Sequence, residues 1–184
     1  MTKNINYRFK DLCIQGNLEK VKQFYFNNPI IDISADDEYA FQTTCIYGHL
    51  EVAKWLLEIK PDINISADNE GAFRYACRYG HLELAKWLLE MKPDINISAK
   101  NENAFIFACY YGHLTITKWL LEVKPDINIF AVDECALRWC CYGGLKLAKW
   151  LLQHKTQNHY MFAKKNKIQI RKIYGKKQQI AKQI

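Results

Sequence analysis

Cysteine and histidine are the residues in this chain that could ligate a metal or act as nucleophile and base, and their spacing argues against both. Cys135, Cys140 and Cys141 share a stretch with His154 and His159, yet no C-x2-C pair is present, the spacing that the common zinc sites need. Cys13, Cys45, Cys77, Cys109 and Cys141 recur at a constant interval of 32 residues. Copies of this kind behave as compact apolar side chains, so no metal is expected. His49, His81 and His113 keep the same interval, and a copied setting offers none of them the unlike partner that acid–base catalysis requires. The sequence contains no phosphate-cradling glycine loop, no HExxH and no GxSxG. It reads as a protein that binds rather than transforms, with no cofactor and no small-molecule substrate.

Charge offers a second chemistry. Residues 1 to 134 carry 14 of the 26 Lys and Arg and all 19 acids, whereas residues 135 to 184 carry 12 basic residues and no acid. Within that part, Lys164, Lys165 and Lys167, then Arg171, Lys172, Lys176 and Lys177, supply the sequence-independent attraction that clustered cations exert on phosphates or anionic lipid. Only Tyr160, Phe162 and Tyr174 are there to stack on bases. Nucleic-acid or anionic-surface binding through residues 155–184 is thus the alternative function, and a solvated face of a terminal unit is the plainer account of the same charges. With 184 residues, 49% of them apolar, the chain is expected to form one domain, 1–184. No apolar run approaches the ~18 residues that span a bilayer, and the opening MTKNINYRFKDL lacks a secretion signal. Seven cysteines, an odd count, argue against a disulfide framework. A soluble intracellular protein follows, cytoplasmic or nuclear, in a reducing compartment.

The elements that must position these residues follow from the interval. Pro29, Pro61, Pro93 and Pro125 stand 32 residues apart, as do Gly16, Gly48, Gly80 and Gly112, and Trp55, Trp87 and Trp119 are followed by Trp150 after 31. A period of this length marks a stacked-repeat architecture. The one-residue loss falls between Cys141 and Trp150, at YGGL, where other units read YGHL. In the unit around residue 80, Asn69 suits an N-cap and Glu70 places charge at the positive end of the helix dipole; Asp37, Asn101 and Asp133, each followed by Glu, are the equivalents. Ala72, Phe73, Ala76 and Cys77 form an apolar stripe, and Gly80 ends the helix. A second helix, LELAKWLLE, offers Leu84, Ala85, Leu88 and Leu89 before Pro93 stops it. PDINISADN is then an extended connection with Ile95 and Ile97 on one side. Helices of about nine residues are marginal alone, so the units must stack on one another.

YGHLEVAKWLLEIKPDIN at 47 to 64, with copies beginning at Tyr79 and Tyr111, resembles the ankyrin-repeat signature NGHLEVVKLLLEAGADIN over roughly residues 7 to 156. The wording DINISADNE and AKWLLE is further similar to the divergent ankyrin arrays of giant DNA viruses. The resemblance implies an all-α solenoid of helix-turn-helix units joined by finger-like connections. Residues 7–35 would form an N-terminal capping unit, 36–67, 68–99, 100–131 and 132–156 the repeats, and 157–184 a basic degenerate cap or tail. Where the family has TPLH this chain has YAFQ, GAFR, NAFI and CALR, and the period is 32 rather than 33.

The positions at which the copies differ are the ones able to select a partner. One register of the first helix carries Thr43, Tyr75, Phe107 and Trp139; three residues later stand Ile46, Arg78, Tyr110 and Tyr142; Tyr47, Tyr79 and Tyr111 follow. The resemblance places these on the concave face of such arrays, beside finger positions Asp36, Asp68, Lys100 and Val132 and the recurrent Glu38, Glu70, Glu102 and Glu134. Tyr, Trp and Arg dominate protein interfaces, so Thr43, Ile46, Tyr47, Asp68, Tyr75, Arg78, Tyr79, Lys100, Phe107, Tyr110, Tyr111, Trp139 and Tyr142 are the expected contacts for an unknown protein, a host protein if the chain is viral. The competing account is that these rings fill gaps between units. Trp55, Trp87, Trp119 and Trp150 are expected to pack between units, with the stems of Lys54, Lys86, Lys118 and Lys149 over the indoles.

Overall fold

The computed structural model describes residues 2–127 together with 146, 147 and 149–151. Eight helices follow one another among residues 2–127: α1 (Thr2–Gln15), α2 (Leu18–Asn27), α3 (Ala35–Tyr47), α4 (Leu50–Ile59), α5 (Ala67–Tyr79), α6 (Leu82–Met91), α7 (Ala99–Tyr110) and α8 (Leu114–Val123). The described residues 146, 147 and 149–151 are also helical, and no strand occurs among the described residues. The first helices α1, α3, α5 and α7 stack in a row, and each second helix packs on the first helix of its own unit. The fold is an all-α solenoid, as expected. No described helix is long and apolar enough to cross a membrane.

The core repeats with the sequence. Phe9, Phe41, Phe73 and Phe105 are buried in successive first helices, one turn before Cys13, Cys45, Cys77 and Cys109, which have no exposed surface. Ala72, Ala76, Leu84, Ala85 and Leu88 are buried as their spacing requires, whereas Leu89 is only partly so. In the fingers Ile31, Ile33, Ile63, Ile65, Ile95, Ile97 and Ile127 close the core. Each tryptophan leans on the unit before it: Trp55 lies 5.5 Å from Tyr25, Trp87 6.4 Å from Phe41 and Trp119 6.1 Å from Phe73. The lysines expected over the indoles divide into two kinds. Lys54 and Lys86 pair with Glu51 and Glu83 one turn earlier, at 3.0 and 3.2 Å. Thr115 stands at that place in the next unit, and Lys118 instead lies over the ring of Trp150, 5.2 Å from its centroid.

The start of each first helix also corrects the sequence reading. Asp37, Asn69 and Asn101 are not N-caps; with their neighbours they form a left-handed turn, φ running 51°, 53° and 63° at Asp68, Asn69 and Glu70. A side chain five residues on takes the carbonyl that this turn exposes: Gln42 Nε2 donates to Asp37 O at 2.8 Å and Arg74 Nε to Asn69 O at 2.9 Å. Asp133 lies outside the described residues. The recurrent glutamates, expected beside a binding face, are buried at Glu38, Glu70 and Glu102. They stitch finger to finger, Glu38 accepting from Asn64 N–H at 3.2 Å and Glu70 from Asn96 N–H at 3.3 Å. Glu38 and Glu70 thus each satisfy a backbone donor of the next finger.

The histidines join consecutive units. His49 Nε2 donates to Ile14 O at 2.8 Å, His81 Nε2 to Ile46 O at 2.9 Å and His113 Nε2 to Arg78 O at 2.9 Å. A carbonyl only accepts, so Nε2 carries the proton. The imidazoles cross directly over glycines of the preceding unit, where an added Cβ would come within 2.2 Å of His49 at Gly16 and 2.4 Å of His81 at Gly48. Gly48 also has φ 77°, where an alanine is strained by about 1 kcal/mol before any collision. Gly48→Ala should therefore lower unfolding stability by about 2 kcal/mol or more, read as a shift of the urea midpoint at unchanged slope. Burial pushes the Cys13 and Cys45 thiols up to about 12 and raises Cys77 as well. These three should resist alkylation at neutral pH until urea unfolds the chain, as peptide mapping by mass spectrometry would read; labelling at the rate of a free thiol would contradict their burial.

Candidate partner-binding surface

The C-terminal turns of α3, α5 and α7 carry most of the expected contact residues, and the turns of α3 and α5 are held in place by the histidine of the following unit. Tyr47, Tyr79 and Tyr111, the residues that close these turns, are 50%, 42% and 43% exposed. Tyr79 and Tyr111 stack with ring centroids 6.3 Å apart and planes at 29°. Tyr47 and Tyr111 also stack on His49 and His113, at 6.3 Å in each case. Tyr110 stands edge-on to Tyr111 at 4.9 Å and is likewise exposed.

Arg78 sits inside this group. Its guanidinium carbon lies 4.3 Å from the Phe107 centroid, 5.4 Å from Tyr79 and 5.5 Å from Tyr111. Arg78 Nη2 donates to Tyr111 Oη at 3.2 Å. Rings from two successive units thus hold the guanidinium by its faces, the geometry in which the ring quadrupole attracts a cation. Phe107 and Tyr75 are half-buried.

The remaining expected contacts are placed unequally. Thr43 is a correction: it is 1% exposed, its hydroxyl donating to Ala40 O at 2.8 Å, so a residue small enough to fold back onto its own helix does not reach the surface. Ile46 is half-buried. Asp68 and Lys100, equivalent positions of successive fingers, are both exposed and pair with each other, with Lys100 Nζ 2.9 Å from Asp68 Oδ1. Asp68 Oδ2 meets Arg74 Nη2 at 2.9 Å and the Tyr75 hydroxyl at 3.4 Å. The Lys100 hydrogen bond, then the Arg74 charge, outweigh partial burial and hold the Asp68 carboxyl below the usual carboxylate range. Asp36, the equivalent position one finger earlier, pairs instead with Lys10 of α1. Trp139, Tyr142 and the basic residues Lys164, Lys165, Lys167, Arg171, Lys172, Lys176 and Lys177 lie outside the described residues.

Sequence reasoning overlooked two side chains here. Arg74, 5% exposed, is the hub of the finger, donating also to Asn103 Oδ1 at 3.1 Å. A signal existed, since Gln42 and Arg74 are polar where Ile106 is not. Tyr39 is 46% exposed with the Lys10 ammonium 5.0 Å above its ring, at a position where the other units have Gly71 and Asn103. Among the described residues no group of three or more His, Cys, Asp or Glu could hold a metal ion.

Burial holds the His113 imidazole below its ordinary value of 6.5, with the nearby His81 acting in the same direction. The unfolded chain then takes the proton more readily than the folded one, so the stability is complete above the unfolded value and is lost as pH falls below it. Unfolding stability should fall from about pH 7 to about pH 5. His113→Gln, which keeps a donor but takes up no proton, should show a shallower decline in urea midpoint across that range.

A family model described as ankyrin repeats, in three copies, matches residues 11–101 and 94–161. Comparison with curated proteins gives no match.

Proposed function

The chain belongs to the ankyrin-repeat family, and from that premise we propose that it is a non-catalytic scaffold that binds a protein partner across the C-terminal turns of α3, α5 and α7. Ankyrin repeats mediate protein–protein interaction. The observation that carries the reading for this surface is the row of three tyrosines, Tyr47, Tyr79 and Tyr111, each more than two-fifths exposed although fixed from behind by stacking. Large rings held in one orientation lose little entropy when a partner covers them, and they present apolar faces beside polar tips.

Thr43 is buried and takes no part, whereas the exposed Asp68–Lys100 pair lies on the fingers and belongs to the proposed contact area. Tyr75, Arg78, Phe107, Tyr110 and Ile46 complete the proposed contact area. The wording shared with the arrays of giant DNA viruses extends the proposal to a host-cell protein as partner. Tyr79→Ala combined with Tyr111→Ala should leave the melting temperature within a few degrees of wild type, because both rings are more than two-fifths exposed and stand outside the buried core. An anchor of this type is worth about 2 kcal/mol, close to thirtyfold in affinity. The double variant should therefore lose proteins that the wild-type chain retains from a cell extract, identified by mass spectrometry. An unchanged set on a folded double variant would refute the proposed surface.

A further inference from the structure

We propose that Arg78 is a carboxylate seat: it receives an Asp or Glu side chain of an extended partner segment whose neighbouring residues are apolar and cover the tyrosines. The proposal rests on the scaffold reading above and names the chemistry of its partner.

The Arg78 guanidinium lacks an anionic partner among the described residues. Its Nε is buried and makes no hydrogen bond, and among the described residues no carboxylate lies within ion-pair distance of it. Nearby cations have carboxylate partners: Arg74 and Lys100 share Asp68, and Lys10 pairs with Asp36. Arg78 instead has three ring faces and one phenol, which fix its plane without supplying a negative charge. A guanidinium offers five N–H donors in a fixed fork, and here the phenol accounts for one of them. The complement of a planar fork is a carboxylate, which accepts two parallel hydrogen bonds.

The surroundings narrow the partner further. Tyr79, Tyr110 and Tyr111 are exposed about the seat, so the residues flanking the acid meet aromatic faces. A single cation matches a monoanion, whereas a phosphoryl group is ordinarily met by a cluster of arginines. The rings do more than line the site, since a guanidinium already stacked and partly dehydrated forfeits little water when an anion arrives. Among the units only this one has the arrangement, because the register reads Ile46, Arg78, Tyr110 and Tyr142.

The test uses the full chain as bait for a displayed library of random twelve-residue peptides at physiological salt. The best-enriched peptide is then synthesised with Glu, Gln or phosphoserine at its acidic position. Peptides bearing an acid at one fixed position should be enriched, and Glu→Gln in the peptide should weaken binding to wild type by about tenfold, the size of one charge-assisted hydrogen bond. That difference should vanish in Arg78→Gln and shrink in Arg78→Lys, which keeps the charge but not the fork. If a melting curve shows Arg78→Gln unfolded, the Arg78→Lys comparison decides. The inference is overturned by an enriched set without a fixed acid, by a Glu–Gln difference that persists in the variants, or by tighter binding of the phosphoserine peptide. Peptides that need Tyr79 and Tyr111 but no acid would remove this inference alone. A library that yields no binders would remove the scaffold reading with it.

Discussion

An imidazole laid across a glycine of the preceding unit governs how this molecule is assembled. Both partners are needed. The glycine gives the helix its left-handed end and leaves room for the ring; the histidine carries an Nε2–H to a carbonyl in the last turn of the neighbouring first helix. Because the same bond recurs at His49, His81 and His113, successive units follow one another by nearly the same step. The ring separations that depend on that step agree closely, 6.4 Å for Phe41 to Trp87 and 6.1 Å for Phe73 to Trp119. In the first described unit the equivalent residue is Asn17, which caps its own helix by accepting from Lys20 N–H at 3.1 Å.

The fingers solve a different problem. Three consecutive non-glycine residues in the left-handed region cost about 1 kcal/mol or more apiece, and such a turn persists only where its surroundings fix it. Here the turn is held from both sides. Gln42 or Arg74 takes the turn's carbonyls, Glu38 and Glu70 bond the next finger's backbone, and Ser66 and Ser98 donate to Glu70 and Glu102 at 2.7 and 2.8 Å. The glutamates are buried because their acceptors are required inside.

These two constraints explain why variation alone does not identify the binding face. Residues 43, 75 and 107 share one register, yet Thr43 is buried while Tyr75 and Phe107 are half-buried. A threonine hydroxyl satisfies itself on the preceding turn, whereas a ring is too large to do so and must emerge. Asp68 and Lys100 differ in charge between fingers and for that reason find each other. Tyr39, exposed at a position where other units have Gly71 and Asn103, shows that a variable position can matter without lying in the registers first chosen.

The sequence by itself determined the period, the ends of the helices and the apolar stripes. Each of these obeys a rule that acts within a few residues: the spacing of apolar side chains, the missing N–H of proline, the left-handed tolerance of glycine. Tertiary structure alone decided what Arg78, His113 and Glu70 do, because their partners stand 26 to 35 residues away in the chain. Arg78 meets Tyr111 33 residues on, and His113 meets Arg78 35 residues back. Repetition announces that such residues face a copy of themselves. The angle and distance at which two copies settle come from the packing of whole faces, and these select which hydrogen bond is made and which guanidinium is left with donors to offer.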